Sequence, residues 1–144
     1  MILPDVNLLL YAVDETSPFH TPAKTWWDRS LSSTTIVGLC YPTILGFIRL
    51  VTSRRVFAAP LRITEATGYV ADWLAQPNTT VLVPTPRHWS LLESLLEGTG
   101  IGGHLTTDAH IAALAIEHGF TVFSNDSDFG RFNSVRWENP LPKV

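Results

Sequence analysis

Thr107-Asp108-Ala109-His110-Ile111-Ala112-Ala113-Leu114-Ala115-Ile116-Glu117-His118-Gly119-Phe120-Thr121-Val122-Phe123-Ser124-Asn125-Asp126-Ser127-Asp128 is the stretch that decides how this chain folds. Thr107–His118 is alanine-rich and reads as a helix, and Gly119 is the residue type that closes a helix in the left-handed conformation. Phe120–Ser124 follows as a short apolar strand bounded by Asn125-Asp126-Ser127-Asp128. Helix, glycine, strand and acidic turn make one step of a sheet whose strands are joined by helices.

The same alternation runs back to the N-terminus. Met1–Asp5 reads as a strand that Pro4 forces to end quickly. Asn7–Val13 and Phe19–Leu31 read as helices, with Thr21-Pro22 as N-cap and first turn of the second. Thr34–Gly38 is β-branched and strand-like. Tyr41–Ser53 is a helix opened by Pro42, with Ile44, Leu45, Ile48 and Val51 at helical spacing. Thr64–Ala75 is a helix capped by Thr64 and stopped by Pro77. Thr79–Pro84 is a strand, and Pro86–Glu97 is a helix with Trp89, Leu92, Leu95 and Leu96 on its apolar side. Val135–Trp137 is a last short strand. No linker or repeat divides residues 1–144, so the expectation is one α/β domain with a parallel sheet sandwiched between helices.

Asp5, Asp108 and Asp126 each stand where an apolar strand ends or a helix begins. Singly, each has a plain structural use: Asp5 as a helix N-cap, Asp108 as an acid at a helix N-terminus, Asp126 and Asp128 as turn residues. Together they bring acids from three separate elements to one edge of one sheet, where open α/β folds bind ligands. Like charges gathered there repel unless a cation sits between them. Hard oxygen ligands select Mg²⁺ or Mn²⁺, ions suited to phosphodiester chemistry. Asn7 is placed to orient a carboxylate, and Ser124 or Thr107 to hydrogen-bond a phosphate.

Composition narrows the alternatives. With 45% hydrophobic and 16% charged residues the chain can bury a core. A net charge of −3 rules out a general electrostatic binder of nucleic acid. Positive charge is local: Arg49, Arg54, Arg55 and Arg62 have no acid among them. That segment reads either as a solvated basic loop or as a rim contacting phosphates or a partner. Cys40 is the only cysteine, so no internal disulfide forms; it reads as a small buried apolar residue in a reducing compartment, the cytoplasm. No apolar run is long enough to span a bilayer, and no membrane partner is expected.

Several chemistries are excluded. The Gly98–Gly103 loop lacks the Lys-Ser/Thr of a P-loop. His20, His88, His104, His110 and His118 supply no pair at zinc-helix spacing, and His110 lies two residues after Asp108, on a different helical face. An aspartate-based phosphotransferase would need an acid where Asn7 stands. Trp26, Trp27 and Trp73 are expected in the core.

On Asp5-Val6-Asn7-Leu8-Leu9-Leu10-Tyr11-Ala12, Thr107-Asp108-Ala109-His110-Ile111-Ala112-Ala113-Leu114-Ala115 and Ser124-Asn125-Asp126-Ser127-Asp128-Phe129, the chain resembles the PIN-domain ribonucleases, specifically the VapC-type toxins of bacterial toxin–antitoxin pairs. The closing Phe132…Val135-Arg136-Trp137-Glu138-Asn139-Pro140-Leu141 is similar to one branch of them. The resemblance implies a three-layer α/β/α PIN-like domain with a short-stranded parallel sheet. It implies metal-dependent cleavage of RNA (tRNA or ribosomal RNA), a small cognate antitoxin as inhibitor, and a homodimer. Asp5 and Asp108 match the family's principal metal-binding acids and Asp126 its later acid, with Asp128 a neighbour able to substitute. Arg49, Arg54 and Arg55 are expected to contact RNA phosphates, and Arg131 lies close in sequence to the last acids.

One position departs from the pattern. The family's glutamate in the helix Pro42–Arg49 is expected where this chain has Gly46. The first expectation is an active nuclease whose carboxylate site is one ligand short, using Mg²⁺ or Mn²⁺. The alternative is a weakly active or inactive PIN-fold module that binds antitoxin or RNA without cutting.

Overall fold

The computed structural model describes residues 1–143. Five strands form one sheet: β1 (Ile2–Pro4), β2 (Val37–Leu39), β3 (Thr79–Val81), β4 (Thr121–Phe123) and β5 (Trp137–Glu138). Their order is β3-β2-β1-β4-β5, and every neighbouring pair is parallel. The connections are α1 (Val6–Val13), α2 (His20–Ser32), α3 (Tyr41–Val51), α4 (Ile63–Leu74), α5 (His88–Thr99) and α6 (Leu105–His118), with a 3₁₀ turn at Ser127–Arg131. This is the α/β/α arrangement expected from the sequence.

Two apolar layers hold the sheet. On one face α6 lays Ala109, Ile111, Ala112, Leu114 and Ala115 against Leu3, Val122 and Phe120. Its alanines let the helix approach the sheet closely, and Gly119 ends it at φ 74°. On the other face Leu9, Trp27, Phe47, Val70 and Trp73 pack over Val37 and Leu39. Side chains alternate across each strand, so Gly38 points to the first face between Leu82 and Phe120. A Cβ there would lie 2.8 Å from Leu82 and 2.9 Å from Phe120, which only glycine avoids.

Pro4 is tolerated in a central strand because the ladder ends around it. Ile2 N–H donates to Ile36 O on the β2 side, and Asp5 N–H donates to Phe123 O on the β4 side. The intervening N–H toward β2 is the one proline lacks, and β1 and β2 pair only at Ile2↔Val37.

Several expected boundaries shift for identifiable reasons. The second strand begins at Val37, not Thr34, because the Asn78 side chain ties the Thr35 carbonyl into a loop at 2.8 Å. The second helix begins at His20 with Phe19 as its cap, ahead of Thr21-Pro22; Phe19 packs on Tyr11, and the His20 ring bonds Tyr11 O at 2.9 Å. Thr64 is not the cap of α4. Arg62 is, with Glu65 reaching back to its N–H at 3.1 Å. Trp89 is 65% exposed. His88 takes the inward position of the first turn of α5 instead, in line with Leu92 and Leu95. Trp27 and Trp73 are buried as expected, and Trp26 is partly so.

Candidate active site

The sheet order reverses between β1 and β4, neighbours in space but separated by most of the chain. Open parallel sheets bind ligands at such a switch point, outside the strands' carboxyl ends. Register fixes what meets there. Leu3 pairs with Val122 and Pro4 with Phe123, so the next residues, Asp5 and Ser124, emerge side by side. Asp108 enters from the first turn of α6, Asp126 caps the 3₁₀ turn, and Asp128 lies within it. Carboxylate oxygens of Asp108, Asp126 and Asp128 all lie within 4.8 Å of one another.

A hydrogen-bonded layer supports the acids from below. Asp5 is buried; its Oδ1 accepts the Val6 N–H at 2.7 Å, and its Oδ2 accepts the Ser124 hydroxyl at 2.8 Å. The Asn7 amide donates to Asp5 Oδ2 at 3.3 Å and to Ser124 Oγ at 3.1 Å, and its carbonyl accepts Asn125 N–H at 3.3 Å. Ser124 Oγ also accepts Asp126 N–H at 2.9 Å, and Asp126 Oδ1 accepts Asp128 N–H at 2.9 Å. One chain of bonds thus runs from the first strand through Ser124 to the last acids.

The electrostatics match the crowding. Burial pushes the Asp5 carboxyl above its ordinary range, opposed by the bonds from Ser124 and Val6 and reinforced by the Asp126 charge. Asp108 is raised to about 7, first by desolvation and then by the charges of Asp5, Asp126 and Asp128. A divalent cation among these oxygens would remove that repulsion. The donor set, all carboxylate and without a soft ligand, fits a hard cation.

A PIN-domain family model matches residues 2–135. The chain belongs to the PIN-domain family. Within it, the chain is similar to Ribonuclease VapC33 of Mycobacterium tuberculosis, 46% identical over 141 residues that span 98% of this chain and 99% of that protein. Ribonuclease VapC37 of the same organism is 46% identical over 140 residues, 97% of each chain. These full-length matches place the chain among the VapC ribonucleases. Solved structures share the fold at lower identity. VapBC2 of Rickettsia felis bound to a promoter DNA fragment has a TM-score of 0.69 at 15% identity, covering 99% of this chain and 100% of that one. VapC20 of Mycobacterium tuberculosis, described as a sarcin–ricin loop cleaving toxin, has 0.68 at 20%, covering 94% and 99%.

Seen as a PIN site, the remaining expected residues fall into place unevenly. Ser124, expected to hydrogen-bond a phosphate, is fully buried, and its hydroxyl is engaged by Asp5, Asn7 and Asp126. Thr107 is exposed beside Asp108. Arg49, Arg54 and Arg55 are exposed, and none forms an ion pair with the acids among the described residues. The contact to the cluster comes from Arg131, whose Nε donates to Asp128 Oδ1 at 3.0 Å, while His104 Nε2 lies 3.8 Å from Asp128 Oδ2. Gly46 sits on α3 where a Cβ would meet only Val6 Cγ2, at an ordinary 3.6 Å. Cys40 is buried, and burial pushes its thiol up, as suits an unreactive core residue.

A second polar cluster escaped the sequence reading. Glu117 has a fully buried side chain that accepts Thr85 Oγ1–H at 2.9 Å and bonds His88 Nδ1 at 2.9 Å. His88 Nε2 in turn meets His110 Nδ1 at 2.9 Å. A carboxylate accepting from His88 Nδ1 leaves Nε2 as the acceptor for His110 Nδ1–H. Burial lowers the His110 pKa, with His88 adding to the effect. Spacing of seven residues on one helix puts His110 and Glu117 on the same face, the signal that was available in the sequence. A cavity of about 270 Å³, lined by Val13, Phe57, Leu61 and Tyr69, touches no acid of the cluster.

Proposed function

We propose that this chain is the toxin of a toxin–antitoxin pair: an endoribonuclease that hydrolyses phosphodiester bonds of structured RNA, tRNA or ribosomal RNA, and so stops translation. The observation that carries this reading is the convergence of Asp5, Asp108, Asp126 and Asp128 at the β1/β4 switch point, with Asp108 raised to about 7. Asp108, Asp126 and Asp128 would hold Mg²⁺ or Mn²⁺, with Asp5 completing the site beside them. Bound there, such an ion would supply charge neutralisation at the phosphate and a more acidic water. The protein's own part is positional. Asn7 and Ser124 fix the Asp5 carboxylate, and the bond from Asp126 to the Asp128 amide fixes the 3₁₀ turn. Arg49, Arg54 and Arg55 supply phosphate contacts farther along the RNA, which add affinity without sequence information.

The whole of residues 1–144 works as one nuclease domain in the cytoplasm, as a homodimer, until a small cognate antitoxin binds it. No helix among the described residues is long and apolar enough to cross a membrane. The antitoxin reading is supported by the full-length likeness to the VapC ribonucleases and by the fold shared with the VapBC2 structure. The test is induction of the intact protein and of Asp5→Asn in parallel, with sequencing of new RNA 5′ ends. Growth arrest with discrete cuts from the intact protein alone supports the reading; cuts from both, or from neither, refute it.

Gly46 favours a second reading, a PIN module that binds antitoxin or RNA without cutting. Calorimetric titration separates the two, because a dead module has no need to bind Mn²⁺ at Asp5 and Asp108.

A further inference from the structure

Any RNA phosphate approaching the site meets the converging carboxylates of Asp108, Asp126 and Asp128. A cation at the rim would offset part of that charge, and Arg131 stands on the cluster itself. Arg131 ends the 3₁₀ turn that begins at Ser127, and residues three apart in such a turn eclipse. Asp128 and Arg131 therefore stand on one edge of that turn, joined by the 3.0 Å bond from Nε. The turn is anchored by Phe129, which is fully buried, and by the Asp126 cap, so the Arg131 backbone is held near Asp128. Its terminal NH₂ groups make no hydrogen bond among the described residues, and the side chain is 54% exposed. The free edge of a guanidinium is the fork that recognises a phosphate in bidentate fashion. An exposed ion pair three residues apart adds little to stability, so Arg131 can leave Asp128 at small cost.

We propose that Arg131 is the ligand of an RNA phosphodiester at the edge of the acid cluster, resting on Asp128 until a divalent cation claims that carboxylate. The inference rests on the nuclease reading above. Bound to Asp128, Arg131 would compete with a cation for that carboxylate; released, its guanidinium would offset the phosphate's charge. No bond is made or broken by Arg131, which makes it a substrate-binding residue.

The experiment compares the full chain with Arg131→Gln and Arg131→Lys, each checked for folding by circular dichroism. Mn²⁺ binding is titrated without RNA. Binding of a short fluorescein-labelled single-stranded RNA is followed by anisotropy across a salt series in saturating Mn²⁺. Cleavage of the same RNA is timed separately. Expected for Arg131→Gln are Mn²⁺ binding equal to the parent or a few-fold tighter, and RNA binding about tenfold weaker. Its log–log salt slope should be shallower by about 0.7, one single-strand phosphate contact. Arg131→Lys should restore the slope but only part of the affinity. Weakened Mn²⁺ binding with unchanged RNA binding would instead make Arg131 a positioning residue for Asp128 and overturn the proposal. Unchanged values in both titrations would overturn it as a mere surface ion pair. A parent chain that binds RNA through Arg131 but never cuts it contradicts the nuclease reading and leaves the contact standing.

Discussion

Replacing Asp108 with asparagine should stabilise the metal-free protein while removing its response to metal. Two effects of opposite sign meet at this carboxylate. As an acid in the first turn of α6, it gains about 0.3–1 kcal/mol from the helix dipole. Against that, its pKa is raised from 3.8 to about 7 by desolvation and three neighbouring acids. Acting in full, such a shift is worth roughly 4 kcal/mol against the ionised form. Asp108 is only half-buried, so solvent screening reduces this to about 1–2 kcal/mol, still larger than the dipole term. The sign follows from proton counting. Between 3.8 and about 7 the folded chain binds more protons at this site than the unfolded chain. Stability from Asp108 is therefore fully present below 3.8 and lost as pH rises through 7.

Thermal melts in EDTA at about pH 4.5 and about pH 8 test this directly. At the acid end, parent and Asp108→Asn should melt close together. At the alkaline end the net of about 1 kcal/mol should make the variant melt about 2–4 °C higher. Adding Mn²⁺ at a hundredfold excess over its dissociation constant should raise the parent by about 2.7 kcal/mol and the variant by much less. A variant that melts level with the parent at about pH 4.5 and below it at about pH 8 would show that the dipole term dominates. An equal Mn²⁺ response in both proteins would show that Asp108 is not a ligand.

Gly46→Glu should tighten Mn²⁺ binding about tenfold by calorimetry, because a carboxylate carrier at 46 has room beside Val6; replacing a mid-helix glycine should also add about 0.5–1 kcal/mol of stability. Ser124→Ala leaves the buried Asp5 Oδ2 without its shortest bond, so a loss of about 1–3 kcal/mol in urea unfolding and about a tenfold to hundredfold loss in Mn²⁺ affinity are expected. Glu117→Ala strips the buried carboxylate from Thr85 and His88 and should cost about 3–5 kcal/mol, read as a lower urea midpoint with an unchanged slope.

The charged half of this site was legible in the sequence because each acid follows a local rule: a strand ends, a helix begins, an aspartate stands at the junction. Periodicity and the Gly119 stop identified most helices and strands, and their alternation implied a parallel sheet. What stayed hidden was set by contacts across the chain. Nothing local distinguishes Ser124 as a buried brace from Ser124 as a phosphate ligand; the difference is the Pro4↔Phe123 register that sets it against Asp5, 119 residues away. The outward turn of Trp89 depends on His88 finding Glu117, a partner 29 residues on. From the sequence Arg131 is only a neighbour of the acids, since five residues of turn give no periodicity from which to infer a shared edge with Asp128.

These failures share a physical origin. An acid cluster is unstable by itself, as the raised Asp108 shows, and here uncharged groups hold it from beneath. Asn7 and Ser124 do so through geometry that the sheet creates. Their residue types are ordinary, and their roles exist only after β1 and β4 have paired. Ligands can therefore be read from a sequence as chemistry, whereas the groups that orient them can be read only from the fold. That asymmetry gives Ser124→Ala its diagnostic force. It removes no charge, so any loss of Mn²⁺ affinity measures how much of the site belongs to the scaffold.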